Sequence, residues 1–307
     1  MKGAVNMRTK ESIGVRMHQY RACYAMILPF FLLFGIFIVL PIGIAVIFSF
    51  TDFNMLEWPG LVGIENYIKL FLEDDVFLVA VRNTLIFAVI TGPVSYFACL
   101  LFAWLINELD RRVRAVMTFF FYAPSISGTL YVMWSYIFSG DMYGWLNYLL
   151  MSMNLISEPV QWLSDPSTML GVIIFIQIWM SLGTSFLSFI AGLQNVDKQL
   201  YEAAAVDGVR NRLQELIYVT LPSMGPQLMF GAVMQIGAAF SVSSICMTLA
   251  GFPSTDNAAL TVVTYIYDYG NIRFEMGYAC AISVVLFAFI LLVNHVIQRA
   301  IARISDD

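Results

Sequence analysis

Long apolar runs alternate with shorter polar segments along most of the chain. Each run reaches or exceeds the roughly 20 residues that a helix needs to cross a bilayer. We predict membrane-spanning helices at about residues 26–50, 83–107, 115–138, 168–193, 218–248 and 276–298. The segments between them are richer in charged residues and are predicted to be loops: 51–78, a short loop with Arg111, Arg112 and Arg114, 139–167, 194–217 and 249–275. Residues 26–298 therefore form one predicted transmembrane domain.

The composition agrees with this pattern. Hydrophobic residues make up 60% of the 307 residues, and charged residues make up only 12%, whereas a soluble domain carries about 25% charged residues. The mean hydropathy of +0.77 points the same way. We therefore predict an all-α integral membrane protein.

Lysine and arginine are distributed unevenly between alternate loops. If the N-terminus is cytoplasmic, the tails 1–25 and 299–307 and the loops after the second and fourth spans hold 13 of the 16 basic residues. The opposite side holds only Lys69, Arg82 and Arg273. Because basic residues concentrate on the cytoplasmic side of membrane proteins, both termini and the loop 194–217 are predicted to be cytoplasmic.

Little in the sequence points to catalysis or metal binding. The cysteines lie in or beside apolar runs without paired spacing, so we interpret them as small buried hydrophobic residues: Cys23, Cys99, Cys246 and Cys280. The two histidines, His18 and His295, are far apart. The net charge of −5 is spread over loops, and no nucleic-acid partner is predicted. No phosphate-binding loop of the form G-x-x-x-x-G-K-[ST] occurs, so any ATP used must bind another chain.

The segment 201–222, YEAAAVDGVRNRLQELIYVTLP, is the longest well-charged interval between apolar segments in the C-terminal half. Its three successive alanines favour a helix, and Glu202 lies near the start, where a negative charge suits the helix dipole. Asp207 and Gly208 form a turn signal, because glycine adopts positive φ easily.

One face of this predicted helix consists mostly of small residues. Tyr201, Ala204, Ala205 and Gly208 follow the spacing i, i+3, i+4 and i+7 and so share that face. One interpretation is a solvated connecting loop, since charge runs usually lie on solvated faces. The other is a docking helix for a soluble partner, and the predicted cytoplasmic position favours it.

The same segment resembles the EAA loop of permease subunits of binding-protein-dependent ABC importers. Glu202-Ala203-Ala204, Gly208, Val219 and Leu221-Pro222 occupy the places of that motif, although the family usually has isoleucine where Val219 stands. Further segments resemble the sugar permeases of the maltose and glycerol-3-phosphate type: SFTDFN at 49–54, VGIENYIKLF at 62–71, RNTL at 82–85 and YAPS at 122–125. The resemblance covers nearly the whole chain.

The resemblance implies a multi-pass protein of the bacterial cell membrane with the type I ABC importer permease fold. It implies as partners a second homologous permease, two cytoplasmic ATPase subunits, an extracytoplasmic solute-binding protein and membrane lipid. ATP and Mg would bind the ATPase, and this chain would hold no cofactor, metal or catalytic residue. The coupling residues implied are Tyr201, Glu202, Ala203, Ala204, Asp207 and Gly208.

A substrate pathway is implied by uncharged polar and aromatic residues within the spans, which are functional candidates in an apolar environment. The candidates are Tyr122, Ser125, Gln177, Ser181, Thr184, Gln235, Phe240 and Ser241. Such amide, hydroxyl and ring groups suit a sugar. The alternative is that these side chains hold helices together through interhelical hydrogen bonds.

The absence of charge at the span centres favours a neutral sugar. Two other functions stay open from the sequence. The same architecture could import another solute, such as a polyol, a glycerol phosphate or a polyamine. A membrane enzyme or self-sufficient secondary transporter would need catalytic or coupling charges within the spans or an inverted repeat, and the sequence shows neither.

Overall fold

The computed structural model describes the backbone of residues 20–306 and the side chains of residues 20–301. Most of the predicted tail 1–25 therefore lies outside the described residues. Within them the chain is helical, and the single β contact is an isolated antiparallel bridge between Thr51 and Leu61. The all-α prediction is confirmed.

The helices of the N-terminal half include two of the longest in the described chain. In order they are α1 (Arg21–Phe48), α2 (Glu65–Ile68, continued by a π-helical turn, Lys69–Glu73), α3 (Asp75–Asn107), α4 (Arg111–Ile126), α5 (Val132–Ile137) and α6 (Trp145–Ser152). Helix α1 has no buried residue and packs against the last helix of the chain.

The C-terminal half contains more short helices. They are α7 (Pro166–Met180), α8 (Thr184–Asn195), α9 (Lys198–Val206), α10 (Arg212–Ser223), α11 (Gly225–Phe240), α12 (Ser244–Ala250), α13 (Val262–Tyr267, continued by a π-helical turn, Asp268–Ile272) and α14 (Met276–Asp306). Helix α14 begins where the sixth span was predicted and continues through the predicted tail 299–307 to Asp306.

Four described segments are long and apolar enough to cross a membrane: α1, α3, the pair α7–α8 and α14. The pair α10–α11 makes a fifth if its two bent parts count as one span. The predicted third span, 115–138, is divided into α4 and α5, which are too short to qualify separately. The count of six therefore stays a prediction.

Serine chemistry explains the break between α4 and α5. The Ser125 hydroxyl donates to the Tyr122 carbonyl at 2.8 Å, and Ser127 leaves the helical conformation with φ −90° and ψ 92°. Serine hydroxyls compete with the helix ladder in this way. Gly128, which follows, adds a residue of low helix propensity.

Helix α3 begins at Asp75, earlier than the predicted residue 83, because Asp74 caps it. The Asp74 carboxylate accepts from the backbone N–H of Phe77 at 3.0 Å, and from the hydroxyls of Tyr265 and Tyr278 at 2.7 and 2.5 Å. Burial, together with the hydrogen bonds to Tyr269 and Asp74, raises the pKa of Tyr265. The cap therefore also joins α3 to α13 and α14.

Helices α3, α8 and α11 pack together at the centre of the bundle. Small residues allow α8 and α11 to approach closely, as in many membrane bundles. The Ser185 hydroxyl donates to the Gly231 carbonyl at 3.2 Å, and a methyl group at Gly231 would overlap the fully buried ring of Phe189.

Replacing Gly231 with alanine is expected to destabilise the protein by about 1–3 kcal/mol, because the added methyl overpacks the α8–α11 contact. The measurement is the thermal unfolding midpoint in detergent. Gly237→Ala is the matched control, since Gly237 lies on the same helix with no atom within 4 Å of an added Cβ. Equal midpoints for the two variants would contradict the prediction.

Candidate functional site

The segment between α8 and α11 folds into two short helices, α9 and α10. Asp197 caps the start of helix α9, because its carboxylate accepts from the Gln199 N–H at 3.0 Å and so satisfies one free donor of the first turn. Helix α10 starts in the same manner, with the Asn211 side chain accepting from the Gln214 N–H at 2.8 Å. The helix predicted within this segment is therefore present and capped.

Gly208 ends α9, and the turn predicted at Asp207 and Gly208 is confirmed. Gly208 has φ +97°. The N–H of Val209 donates to the Ala204 carbonyl at 3.0 Å, and the N–H of Gly208 donates to the Ala205 carbonyl at 3.3 Å. This pair of bonds is the Schellman arrangement. No atom lies within 4 Å of an added Cβ at Gly208, so within this chain the position needs glycine for its backbone angle and not for packing.

The predicted coupling residues lie on two different faces of α9. Glu202, Ala203, Asp207 and Gly208 are exposed, whereas Tyr201 and Ala204 are half-buried. The neighbouring Ala205 is also exposed. The Tyr201 hydroxyl lies 2.9 Å from Thr220 Oγ1. Tyr201 thus points toward α10 of its own chain, while the exposed face carries Glu202, Ala203 and also Val206, which is 88% exposed.

A polar cavity of about 580 Å³ lies between α9, α10 and the adjoining ends of α3, α4 and α8. At its edge the Arg212 guanidinium contacts Glu215 at 2.8 Å and Glu108, at the end of α3, at 3.5 Å. The hydrogen bond to Glu215, with the nearby Glu108 charge, raises the pKa of Arg212. These groups are largely solvated, so the ion pairs orient α10 more than they stabilise it.

Helices α10 and α11 meet at an angle of 83°. The predicted fifth span, 218–248, is therefore not one continuous helix: residues 218–223 belong to α10, and α11 starts at Gly225. Prolines shape the junction, because Pro222 and Pro226 flank the bend at Met224 and neither can donate a backbone hydrogen bond. Helix α11 also ends early, at Phe240, before α12 begins.

Three of the predicted pathway residues meet at a break in the fourth span. Residues 181–183 interrupt the helix between α7 and α8. The Ser181 carbonyl accepts from the Gly183 N–H at 2.8 Å and from Gln235 Nε2 at 3.2 Å. An added Cβ at Gly183 would lie 3.4 Å from the Ser125 Cβ. Ser125, Ser181 and Gln235 thus come together. The bond from Gln235 joins two helices, as expected if these polar side chains hold helices together.

The other predicted pathway residues are scattered. Gln177 is half-buried and makes no side-chain hydrogen bond to the part of the chain that the structure describes. Tyr122 packs at the edge of the α3–α8 core. Thr184 and Ser241 are exposed. Phe240 is buried against Phe289 of α14, with ring centroids 5.6 Å apart, and so does not join the Ser181 group.

A polar stripe on α3 was missed from the sequence. Thr91, Ser95 and Cys99 are buried and follow one another at i+4 spacing. The Cys99 thiol lies 3.7 Å from the Ser181 carbonyl, and Gln235 donates to it at 3.4 Å. Thr91 Oγ1 and Ser95 Oγ have no hydrogen-bond partner among the described residues. The i+4 spacing of these three residues within an otherwise apolar helix was the sequence signal that could have identified the stripe.

Comparison with known proteins places this geometry among transport proteins. The family model described as "Binding-protein-dependent transport system inner membrane component" matches residues 96–305. The chain is 30% identical to the probable ABC transporter permease protein YesP of Bacillus subtilis strain 168, over 94% of this chain and 93% of that protein. It is 31% identical to the arabinooligosaccharides transport system permease protein AraP of the same strain, over 89% and 86% of the two chains.

Solved structures match over almost the full length. A chain of a bacterial ABC transporter involved in the import of the acidic polysaccharide alginate superposes with a TM-score of 0.74 and 26% identity, covering 94% of this chain and 99% of that one. A bacterial alginate ABC transporter in complex with an alginate pentasaccharide-bound periplasmic protein gives a TM-score of 0.76 at 25% identity, covering 95% and 99%. The fold is thus that of a type I ABC importer permease.

Replacing Gln235 with leucine is expected to cost about 0.5–1.5 kcal/mol of stability, because it removes one donor from the Ser181 carbonyl, which keeps the Gly183 N–H. Gln177→Leu is the matched control, and its thermal unfolding midpoint in detergent should stay close to that of the wild type. If Gln177→Leu destabilises the protein as much as Gln235→Leu, the Ser181 bond is not the cause.

Proposed function

The chain belongs to the family of inner membrane components of binding-protein-dependent transport systems, and we propose that it is the permease subunit of an ATP-driven carbohydrate importer. It is a multi-pass membrane protein of the sugar ABC permease group. The observation that carries the proposal is α9, a helix capped at both ends, with an exposed face of Glu202, Ala203 and Val206, in a chain that has no phosphate-binding loop.

The proposed topology has six spans, with both termini in the cytoplasm. In it α4 and α5 together form the third span, and α10–α11 with α12 form the fifth. The distribution of 13 basic residues among the tails and the two proposed cytoplasmic loops supports this orientation. Helix α9 then faces the cytoplasm.

Coupling to ATP in this proposal takes place through α9. Two cytoplasmic ATPase subunits bind ATP and Mg, and their closure displaces α9 together with the elements to which it is fixed. The exposed Glu202 carboxylate is available to pair with a basic group of the ATPase, and the exposed alanines allow close approach of a partner surface. The displacement reaches the spans through α10 and the 83° bend.

The proposed pathway passes beside the break in the fourth span. Buried hydroxyls on α3, the exposed Thr184 and the half-buried amide of Gln177 provide hydrogen-bonding groups for a polar solute. Broken helices near the membrane midplane are common at transporter binding sites. A second homologous permease provides the other half of the pathway, and an extracytoplasmic binding protein delivers the solute.

A carbohydrate is the proposed solute because the candidate groups are neutral. The relatives with sugar names include AraP and the lactose transport system permease protein LacF of Rhizobium radiobacter, which is 28% identical over 87% of this chain and 89% of that protein. The alternative is the same machinery importing a polyol, a glycerol phosphate or a polyamine.

The test of this function is purification of the chain from its native membrane in mild detergent, with every partner identified by mass, followed by reconstitution into liposomes. We expect a second permease and an ATPase to copurify, and radiolabelled arabinotriose or lactose to accumulate only with ATP and the binding protein. Uptake without ATP by the chain alone would contradict the proposal. Uptake of a labelled polyol or polyamine instead would identify the alternative.

Replacing Gly208 with valine should reduce import with little effect on membrane insertion, because a β-branched residue at φ +97° is strained and changes how α9 ends. The expected result is lower solute uptake per ATP hydrolysed in the reconstituted complex. The control is Val209→Ala, which changes the next residue of the same turn and should leave import unchanged. Wild-type uptake by Gly208→Val would contradict the coupling role of the turn.

A further inference from the structure

One side-chain hydrogen bond links α9 to α10. The Tyr201 hydroxyl lies 2.9 Å from Thr220 Oγ1, and Thr220 Oγ1 lies 3.1 Å from the Glu215 carbonyl. A threonine hydroxyl has a single proton, which it can give to that carbonyl, so the arrangement that satisfies both bonds has Tyr201 donating to Thr220. The result is a directed chain from α9 to the backbone of α10.

This link is isolated. Among the residues that the structure describes, it is the sole side-chain hydrogen bond or ion pair that joins α9 to another helix. The caps at Asp197 and Gly208 act within the ends of α9 itself. Without the Tyr201 bond, α9 would be held only by its two chain connections and by apolar contact, which permit rotation about its own axis.

The receiving residue lies in an unusual part of α10. Thr220 is 3% exposed and closes a π-helical turn, Leu216–Thr220, just before the bend at Met224. Single π-helical turns are often found at functional positions. The same turn begins after Glu215, whose carboxylate contacts Arg212, which in turn contacts Glu108 of α3. The Tyr201 bond therefore enters α10 where that helix is anchored to α3 and joined to α11.

We propose that Tyr201 and Thr220 form the joint through which displacement of α9 is transmitted to α10 and α11, so that Tyr201 is a positioning residue of the coupling machinery and not a contact to the ATPase. The coupling role rests on the proposed function. The joint fixes the rotation of α9, which keeps the exposed side chains of Ala203 and Val206 directed away from α10 and leaves Glu202 at the rim of the polar cavity. It also makes α9 and the buried π-helical turn move as one body.

Tyr201→Phe tests the joint, since it removes the hydroxyl and keeps the ring. Hydrogen–deuterium exchange of the purified full chain reports on α9 directly and requires no ligand or partner. We expect the amides of α9 to exchange about two- to tenfold faster, which is the effect of one lost hydrogen bond on an opening equilibrium. Thr220→Val should have the same effect, and the double variant should add little to either single change.

Two control variants distinguish loss of the Tyr201–Thr220 hydrogen bond from an unspecific effect of substitution in this segment. Thr220→Ser keeps the hydroxyl and should exchange like the wild type. Tyr218→Phe removes a hydroxyl from the same segment, where Tyr218 is 69% exposed and makes no side-chain hydrogen bond to the described residues. Wild-type exchange of α9 in Tyr201→Phe would overturn the proposal, and so would equal acceleration in Tyr218→Phe.

The role of the joint in coupling is tested in the reconstituted complex. The measured quantity is the amount of labelled arabinotriose or lactose imported per ATP hydrolysed. Tyr201→Phe should lower this ratio about two- to tenfold, with the amount of copurified ATPase unchanged. Loss of bound ATPase would overturn the positioning role in favour of direct contact. Failure of the wild type to import either sugar would contradict the proposed function, while the exchange experiment would still decide whether the joint exists.

Discussion

Every backbone donor and acceptor within the apolar part of this bundle must find a partner inside the protein, because a bilayer offers none. Continuous helices such as α3 meet this condition alone, but the chain interrupts its helices at residues 181–183 and 241–243. At the first break Gln235 and Cys99 supply donors to the Ser181 carbonyl. At the second, the Thr261 hydroxyl donates to the Val242 carbonyl at 2.7 Å. At both breaks, side chains from other parts of the fold thus supply donors to the interrupted backbone.

That condition explains why close packing and polar side chains occur together here. Gln235 reaches Ser181 because α8 and α11 approach closely across Gly231, where a methyl group would meet the Phe189 ring. The same contact allows the Ser185 hydroxyl to reach the Gly231 carbonyl. Glycine in these helices therefore positions the hydrogen bonds that allow the helical path to bend, and the bends in turn expose polar groups beside the proposed pathway.

The sequence predicted the features that local chemistry decides. Apolar length predicted the long helices, and the low steric cost of glycine at positive φ predicted the turn at Gly208. It did not predict the early start of α3, since hydropathy marks the apolar span and not the local cap at Asp74. It also did not predict that Tyr265 and Tyr278, which are distant in the sequence, donate to the same carboxylate. It did not predict the direction of Tyr201 either, since helical spacing assigns a residue to a face but does not say which surface covers that face.

The near-perpendicular bend between α10 and α11 sets how far a movement travels. Helix α10 contains 12 residues and α11 contains 16, which correspond to lengths of about 18 and 24 Å. If both arms turn as one rigid elbow about the buried Met224, each ångström at the outer end of α10 becomes about 1.3 Å at the far end of α11. Because the two arms are nearly perpendicular, the outer ends of such an elbow would move in nearly perpendicular directions.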